Sequence, residues 1–572
     1  MPHATLPSPG FQALILCGPG ASLDTFTSNL EEFPKALVPI ANRPMVWYPI
    51  EWCSRMGVTD ITLITPPAAQ KATQAVLDLN PNFTSLPRVE ICSPAGLTEN
   101  TGTAEIFRLK EVQDIITRDF IVLPCDLVCE LDGLSLLEEW MVLEGGLGAA
   151  TGGLSPHGRE MPMGVGGEKR GRRGGLSVWY ETKVDGNMKK EETDFLASTP
   201  LPKAKVPPPQ GSIRKDISQV VLTMPTDTLK DIQEAKEGNF ALRHSLLKKF
   251  GRLKLHTTTR DAHVYLFPYW VLQMLKKNET FDSLSEDALG WWAKACWQDG
   301  LGDKLGLRDV LQPSNTTDMQ LSTGELNPLL DEVDLSTYIT TTTTPTTEAD
   351  TVRTVSLASR VQNPSFPTES SSTIFESKPR LVIPPLLAYV QPSSANEPLI
   401  RRVDTEDQLL NVSLRLARLP ALDDKTVAAH SPYSFDSKIH PQITIPKQSH
   451  IDTATTLIAA NTTLSERVAI KESVVGANCS IGMGSKLTRC LLMDGVVIGD
   501  FCSLTGCIIG PRAKITGGPK EDRNKTDLKN VKVMGGMVVE WGTVAEGRVI
   551  GGGDLLDEEG LDGISGAEGD DD

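Results

Sequence analysis

The sequence predicts a two-domain chain: a Rossmann-like α/β domain followed by a left-handed parallel β-helix. Three observations predict it. Strand-like and helix-like stretches alternate from Phe11 to about Cys129, the rhythm of a parallel sheet with helical crossovers. Three windows align at a spacing of 17 residues, TLIAANTTLSERVAIKE from 456, SVVGANCSIGMGSKLTR from 473 and CLLMDGVVIGDFCSLTG from 490, and a fourth opens as CIIGPRAKI at 507. Between the two patterns, from Pro313 to Pro379, the composition shifts to Thr, Ser, Pro and acids around TTTTTPTTEAD.

The first domain is expected over 11–311, after an N-terminal extension 1–10. FQALILC reads as a buried strand, PMVWYPIEWCSRMGV as a helix closed by Gly57, and DITLIT and FIVLPCD as further strands. Residues 151–215, with GVGGEKRGRRGG and PLPKAKVPPPQG, read as a loop-rich insertion whose basic residues Lys169, Arg170, Arg172 and Arg173 form a solvated loop. Regular structure resumes with ISQVVLTM, a helical stretch near FALRHSLLKKFG, and DAHVYLFPYWVLQML, a strand running into a helix. SLSEDALGWWAKACW opens with a capping box, Ser283 and Glu286. Its Trp291, Trp292 and Trp297 are expected to pack against the body.

Residues 312–380 cannot bury enough apolar surface to offset their ordering entropy and are expected to be a disordered linker. A connecting segment, 381–440, carries RLVIPPLLAYV and a helix after Asp404. The β-helix is expected over 441–552. Ile458, Val475, Leu492 and Ile509 form one file, Leu464, Ile481, Ile498 and Ile515 a second, and Ile470, Leu487 and Leu504 a third. Three inward residues per coil, about six apart, describe a three-sided solenoid whose files stack into one core. Cys490 and Cys507 fall at equivalent positions and should stack. NKTD at 524–527 matches a guanine-reading motif, but without any GxxxxGK[ST] loop it reads as part of a polar insertion. Residues 553–572 form an acidic tail.

A formal net charge of −17, with 40% apolar and 23% charged residues, argues against direct nucleic-acid or anionic-membrane binding, since both need a basic surface. The start of the chain shows no signal-peptide pattern, and no stretch approaches the roughly 20 apolar residues of a spanning helix. The expected location is the cytosol. Ten cysteines without a CxxC pair indicate neither a disulfide framework nor a zinc site.

LCGPGASLDTF, 16–26, passes from a strand into a glycine turn, as phosphate-cradling loops do. With FPKALVPIANRPMVWYPIEW, GTAEIFR at 102–108 and LPCDL, this stretch resembles the sugar-phosphate nucleotidyltransferase family over roughly 11–300. The frame is kept at Gly18, Gly20, Leu23, Pro34, Lys35, Pro39, Asn42 and Pro44. The resemblance implies that Gly18, Gly20 and Lys35 are the phosphate-binding positions, and that Asp126 stands where the family holds Mg²⁺. The charged part of the loop departs from the pattern. Ala21 and Ser22 replace the family's Thr-Arg, and Pro19 removes an amide donor. Losing that arginine forfeits charge-assisted bonds of about 1.5–3 kcal/mol each. The loop is therefore expected to be vestigial, with no catalytic residue, no metal and no cofactor.

Such a domain joined to a hexapeptide β-helix resembles the gamma-subunit family of the eukaryotic guanine-nucleotide exchange factor for translation initiation factor 2. The segments FPKALVPIANRPMVWYPIEWCSRMGVTDITLIT, SLLKKFGRLKLHTTTRDAHVYLFPYWVLQML and SLSEDAL carry the resemblance together with the β-helix. It implies a non-catalytic subunit that pairs with an epsilon subunit, joins alpha, beta and delta subunits, and promotes GDP release from initiation factor 2. The alternative is an active GDP-mannose or other sugar-1-phosphate nucleotidyltransferase, which should carry an arginine after Gly20 and lack a long Thr-rich linker. A β-helix acyltransferase would need a histidine among the coils, and none follows His450.

Overall fold

A computed structural model describes residues 10–311 and 381–551 together with 556–557, apart from 99, 145–152, 155–159, 162–173, 184–190, 202–207, 382, 395–396, 424–429 and 520–524. The linker, the basic cluster at 169–173 and most of the acidic tail lie outside the described residues, as does Asn524 of NKTD.

In chain order the main elements of the α/β body are β1 (Gln12–Leu16), α1 (Trp47–Arg55), β2 (Asp60–Ile64), α2 (Gln70–Leu79), β3 (Val89–Cys92), β4 (Phe120–Pro124), β5 (Leu127–Cys129), α3 (Gly133–Glu144), β6 (Gly175–Glu181), β7 (Asp194–Pro200), β8 (Ile217–Pro225), β9 (Lys254–Phe267), α4 (Trp270–Lys277), α5 (Leu289–Ala295), β10 (Leu386–Val390), β11 (Ile400–Arg402) and α6 (Glu406–Arg418), with shorter helices between them. Among the described residues nine of these strands form one sheet in the order β6-β10-β8-β7-β9-β4-β1-β2-β3. Its β4-β1-β2-β3 half is parallel. β1 is buried along nearly its whole length, as the apolar run Ala13–Leu16 requires of a strand covered on both faces. Gly57 follows α1 with φ 76°, a left-handed stop that glycine takes without strain.

The expected domain limits need correction. β6 and β7, from the stretch expected as a loop-rich insertion, are central strands, because GLSVWYE and DFLASTP bury nearly every side chain. β10, from the expected connecting segment, runs parallel to β6 and antiparallel to β8. Since β6 also pairs with β9, the strands β6, β10, β8, β7 and β9 close a ring of pairings. The sheet is therefore completed by residues that follow the linker in sequence. Half of the expected capping box forms: the Ser283 side chain accepts from the Glu286 amide, but the Ser283 amide donates to Asp287 at 3.0 Å, one residue beyond the Glu286 expected. Trp292 and Trp297 are buried, whereas Trp291 is exposed.

The C-terminal strands stack in three parallel ladders, 17 residues per coil through Ile509. Ile481 pairs with Leu464 and Ile498, and Ile470 with Leu487. All three files point inward, with only Leu464 half-exposed at the open first coil. Cys490 and Cys507 lie one coil apart in this core, and their thiols donate to backbone carbonyls, Cys490 to Thr488 and Cys507 to Leu528, each at 3.3 Å. Asp527 opens a short strand.

The β-helix and the α/β body share one continuous core. Leu409, Val412, Leu414 and Leu416 of α6 join Leu457, Val474 and Leu491 of one ladder and Val38, Ile40 and Met45 of the body. Asn42, left-handed at φ 64°, donates from Nδ2 to the Val475 carbonyl at 2.9 Å. Arg43 is stacked between Trp47 and Phe435, 4.3 and 3.9 Å from the ring centroids, and donates to the carbonyls of Tyr433 and Ser434.

Two outcomes follow from this architecture. A protease site engineered at 340–350 should, once cut, leave two fragments that co-elute in native size-exclusion chromatography, while residues 1–311 expressed alone should be insoluble for want of β10. Ile481→Asp should cost several kcal/mol and abolish the cooperative unfolding transition of the β-helix in calorimetry.

Candidate functional site

The site lies where β1 and β4 end side by side. The Cys17 amide donates to the Ile64 carbonyl and the Cys125 amide to the Leu16 carbonyl. The backbone is thus fixed up to the glycine turn and up to Asp126. Gly20 has φ 91°. A Cβ there would stand 2.8 Å from Thr27 Oγ1 and 3.1 Å from Lys35 Cβ, so only glycine allows Lys35 to approach the loop. Gly18 is exposed and its Cβ position is open. Ala21 and Ser22 face solvent, and the turn 18–22 carries no cation.

Lys35 and Asp126 do come together. Lys35 Nζ donates to Asp126 Oδ2 at 2.8 Å, and both side chains are buried. A third residue, which the sequence reading did not single out, completes the cluster. Arg402 of β11 donates through Nε to Asp126 Oδ1 and through Nη2 to Oδ2, each at 3.3 Å. Burial alone would raise the Asp126 carboxyl, but Arg402 and then Lys35 outweigh it and hold it well below the usual carboxylate range. Burial likewise opposes the charge on Lys35 and Arg402, and in both Asp126 reverses the effect.

β11 reaches this position by pairing antiparallel with β5, Arg402 opposite Leu127, and the Val403 amide donates to the Asp126 carbonyl at 2.8 Å. A bulge in β9 brings in His263. Ser177 pairs with Tyr265 but Trp179 with Asp261, which leaves the residues between as extra length on β9. His263 takes φ 53° there, and its Nε2 lies 3.3 Å from Arg402 Nη1. Burial and then Arg402 push its pKa well down, so the imidazole is neutral and accepts from the guanidinium.

The neighbouring charges are paired in turn. Arg260 contacts Asp404 at 2.6 Å and Glu191 at 3.4 Å, with the exposed Glu192 at 3.5 Å. Tyr180 donates to Glu191 Oε1 at 2.6 Å. Lys35, Arg402 and Arg260 thus face Asp126, Asp404 and Glu191, three buried cations against three carboxylates. Among the described residues no group of three His, Cys, Asp or Glu side chains is placed to hold a metal ion.

Other motif residues serve packing. A Cβ on Gly102 would lie 2.2 Å from the Asp282 carbonyl oxygen. Arg108 donates to the Phe281 carbonyl at 2.7 Å, so GTAEIFR fastens the segment before α5. The sequence carried one faint sign of Arg402 and Arg260: LIRRVDTED and TTTRDAHVYLF set charges inside apolar runs, and a buried charge requires a partner.

With the geometry in place, comparison with known proteins adds two likenesses. Residues 438–550 match the family model described as the EIF2B subunit epsilon LbH domain, a left-handed β-helix. The chain is 23% identical to the protein named translation initiation factor eIF2B subunit gamma of Schizosaccharomyces pombe over 308 residues, 54% of this chain and 56% of that one. The match thus spans about half the length of that relative. Together the two support the resemblance to the gamma-subunit family of this initiation factor.

Beside the cluster, Asp261 is fully buried. It accepts from the Tyr265 hydroxyl at 2.6 Å and the His263 amide at 2.8 Å, and its own amide donates to Asp194. Burial, aided by Asp194 against the Tyr265 hydrogen bond, pushes its carboxyl up to about 7. In the unfolded chain it titrates near ~3.9. The folded form therefore holds its proton more tightly, and stability falls as pH rises from about 4 to 7, then levels. Urea denaturation at pH 5 and pH 8 should show this loss, and Asp261→Asn should reduce it by an amount on the order of a few kcal/mol.

Proposed function

We propose that this chain is a non-catalytic subunit of the guanine-nucleotide exchange complex that promotes GDP release from translation initiation factor 2. It pairs with an epsilon-type subunit and, through that pair, joins alpha, beta and delta subunits in the cytosol. Its likeness to the named gamma subunit supports the complex, and the Lys35–Asp126–Arg402 cluster supports the absence of catalysis. A nucleotidyltransferase needs a free cation for the phosphates and a free carboxylate for the metal ion. Here the two are spent on each other, and the solvent-facing turn 18–22 carries neither.

Acceleration of GDP release needs only a surface that binds the nucleotide-free target more tightly than the GDP form, which by linkage weakens GDP. A rigid body built from an α/β sheet and a β-helix supplies surface of that kind and orients the partner that contacts the target.

The test is the mass and composition of the complex that a tagged copy brings down from its own cytosol. The expected result is a large hetero-assembly that contains an epsilon-like chain and initiation factor 2, and that shows no nucleotidyl transfer from GTP to mannose 1-phosphate. A homo-oligomer with transfer activity would overturn the proposal. Within the assembled complex, Lys35→Met should leave the GDP-release rate within about twofold of wild type, because Arg402 still neutralises Asp126. A tenfold loss would put the pocket back among the working parts.

A further inference from the structure

The position that holds Mg²⁺ in the sugar-phosphate nucleotidyltransferases does not fit a metal ion here. Both Asp126 oxygens accept from Lys35 or Arg402, the carboxylate is 2% exposed, and its backbone carbonyl accepts from Val403. That disagreement raises the question of what the carboxylate now does.

Arg402 is the first of three charged residues at alternate positions, each of which fastens to a different part of the molecule. Arg402 holds Asp126 at the end of β4. Asp404 holds Arg260 in β9, with contacts of 2.6 and 3.3 Å. Glu406, in the first turn of α6, holds Lys532 of the β-helix at 2.7 Å, with both side chains largely buried. Between them the Thr405 side chain caps α6 by accepting from the Gln408 amide. At the far end of the same helix Arg418 reaches Glu472, another β-helix residue, at 2.9 Å. The charges therefore run in one direction along the chain, from the pocket through the sheet and into the coils.

From this ladder we infer that Asp126 is a positioning residue: with Lys35 and Arg402 it anchors residues 402–406, and that anchor sets how α6 seats the β-helix on the α/β body. The pocket has become an inter-domain joint. Three features support this. Among the described residues β11 is three residues long and pairs with β5 alone, so its ladder hydrogen bonds are few and the clasp adds to the burial of Ile400 and Val403 in holding it. Burying Asp126 without partners would be costly, so leaving Arg402 disengaged would be opposed by the charge left behind. Glu406 lies at the positive end of the α6 dipole, on the side where it meets Lys532.

The inference does not depend on the proposed exchange function, only on the engagement of Asp126. It is tested by hydrogen exchange read by mass spectrometry on the full chain, comparing wild type with Arg402→Gln and with Asp126→Asn. Both variants should speed exchange at least tenfold across 399–418, and in the coils around Val475 and Lys532, while β1, β2 and the interior ladder at Ile481 and Ile498 keep wild-type protection. Arg402→Lys, which keeps one charge-assisted contact, should restore part of the protection. Wild-type exchange over 399–418 in both variants would overturn the inference, as would uniform loss of protection through the whole chain in both. Nucleotidyl transfer by the wild-type chain would overturn the proposed function and leave this result as it stands.

Discussion

A single buried carboxylate organises much of this molecule. Asp126 stands at the end of a central strand, where burial opposes its charge, and it can stay ionised only if cations are brought to it. Lys35 arrives from 91 residues before it in sequence and Arg402 from 276 after it. The cost of an uncompensated charge thus draws together the glycine turn, the strand end and the segment that leads into the β-helix. Gly20 has no room for a Cβ because Thr27 and Lys35 both close against it. β11 lies along β5 because Arg402 must reach over the same corner.

The pocket that results is filled with its own counter-ions. In a site evolved to hold a nucleotide, cations await phosphate oxygens and carboxylates await a metal ion, so the empty site carries strained electrostatics that the ligand relieves. Here the balance is internal. The neutral imidazole of His263, set on a bulge, occupies a further part of the space and accepts from the same guanidinium. A ligand group that reached for Lys35, Arg402 or Asp126 would have to break charge-assisted bonds to do so.

The parts of the fold legible in sequence were those with a local or strictly periodic signature. The coils from Ile458 to Ile515 could be read to the residue, because a stacked coil demands that the same face recur every 17 residues, as Ile458, Val475, Leu492 and Ile509 do. Beyond them the step lengthens to 24, with Ile509 pairing with Val533, and the core residues Leu528, Val533 and Val539 went unassigned. β1, β2, β4 and α1 were legible from apolar runs and a glycine stop. β6, β7 and β10 were misjudged, because what makes GLSVWYE, DFLASTP and LLAYV central strands is which neighbours they meet, and those neighbours are distant in sequence. The site was half legible. Gly18, Gly20, Lys35 and Asp126 were found through resemblance, and the structure does bring Lys35 to Asp126. Arg402 has no local signature beyond a charge within an apolar run, since its partner lies hundreds of residues away.

The placement of β10 has a consequence for the order in which the chain can fold as it is made. Strands that precede the linker wait for one that follows it, so between the emergence of Leu311 and that of Val390 the ring of pairings stays open. At about 5–20 residues per second that interval lasts on the order of 4–16 s. During it the facing edges of β6 and β8 present unpaired amides and carbonyls beside apolar side chains. A nascent chain of this design is therefore most exposed to chaperones, and to misassembly with its neighbours on the same message, while the ribosome is reading through the Thr-rich stretch.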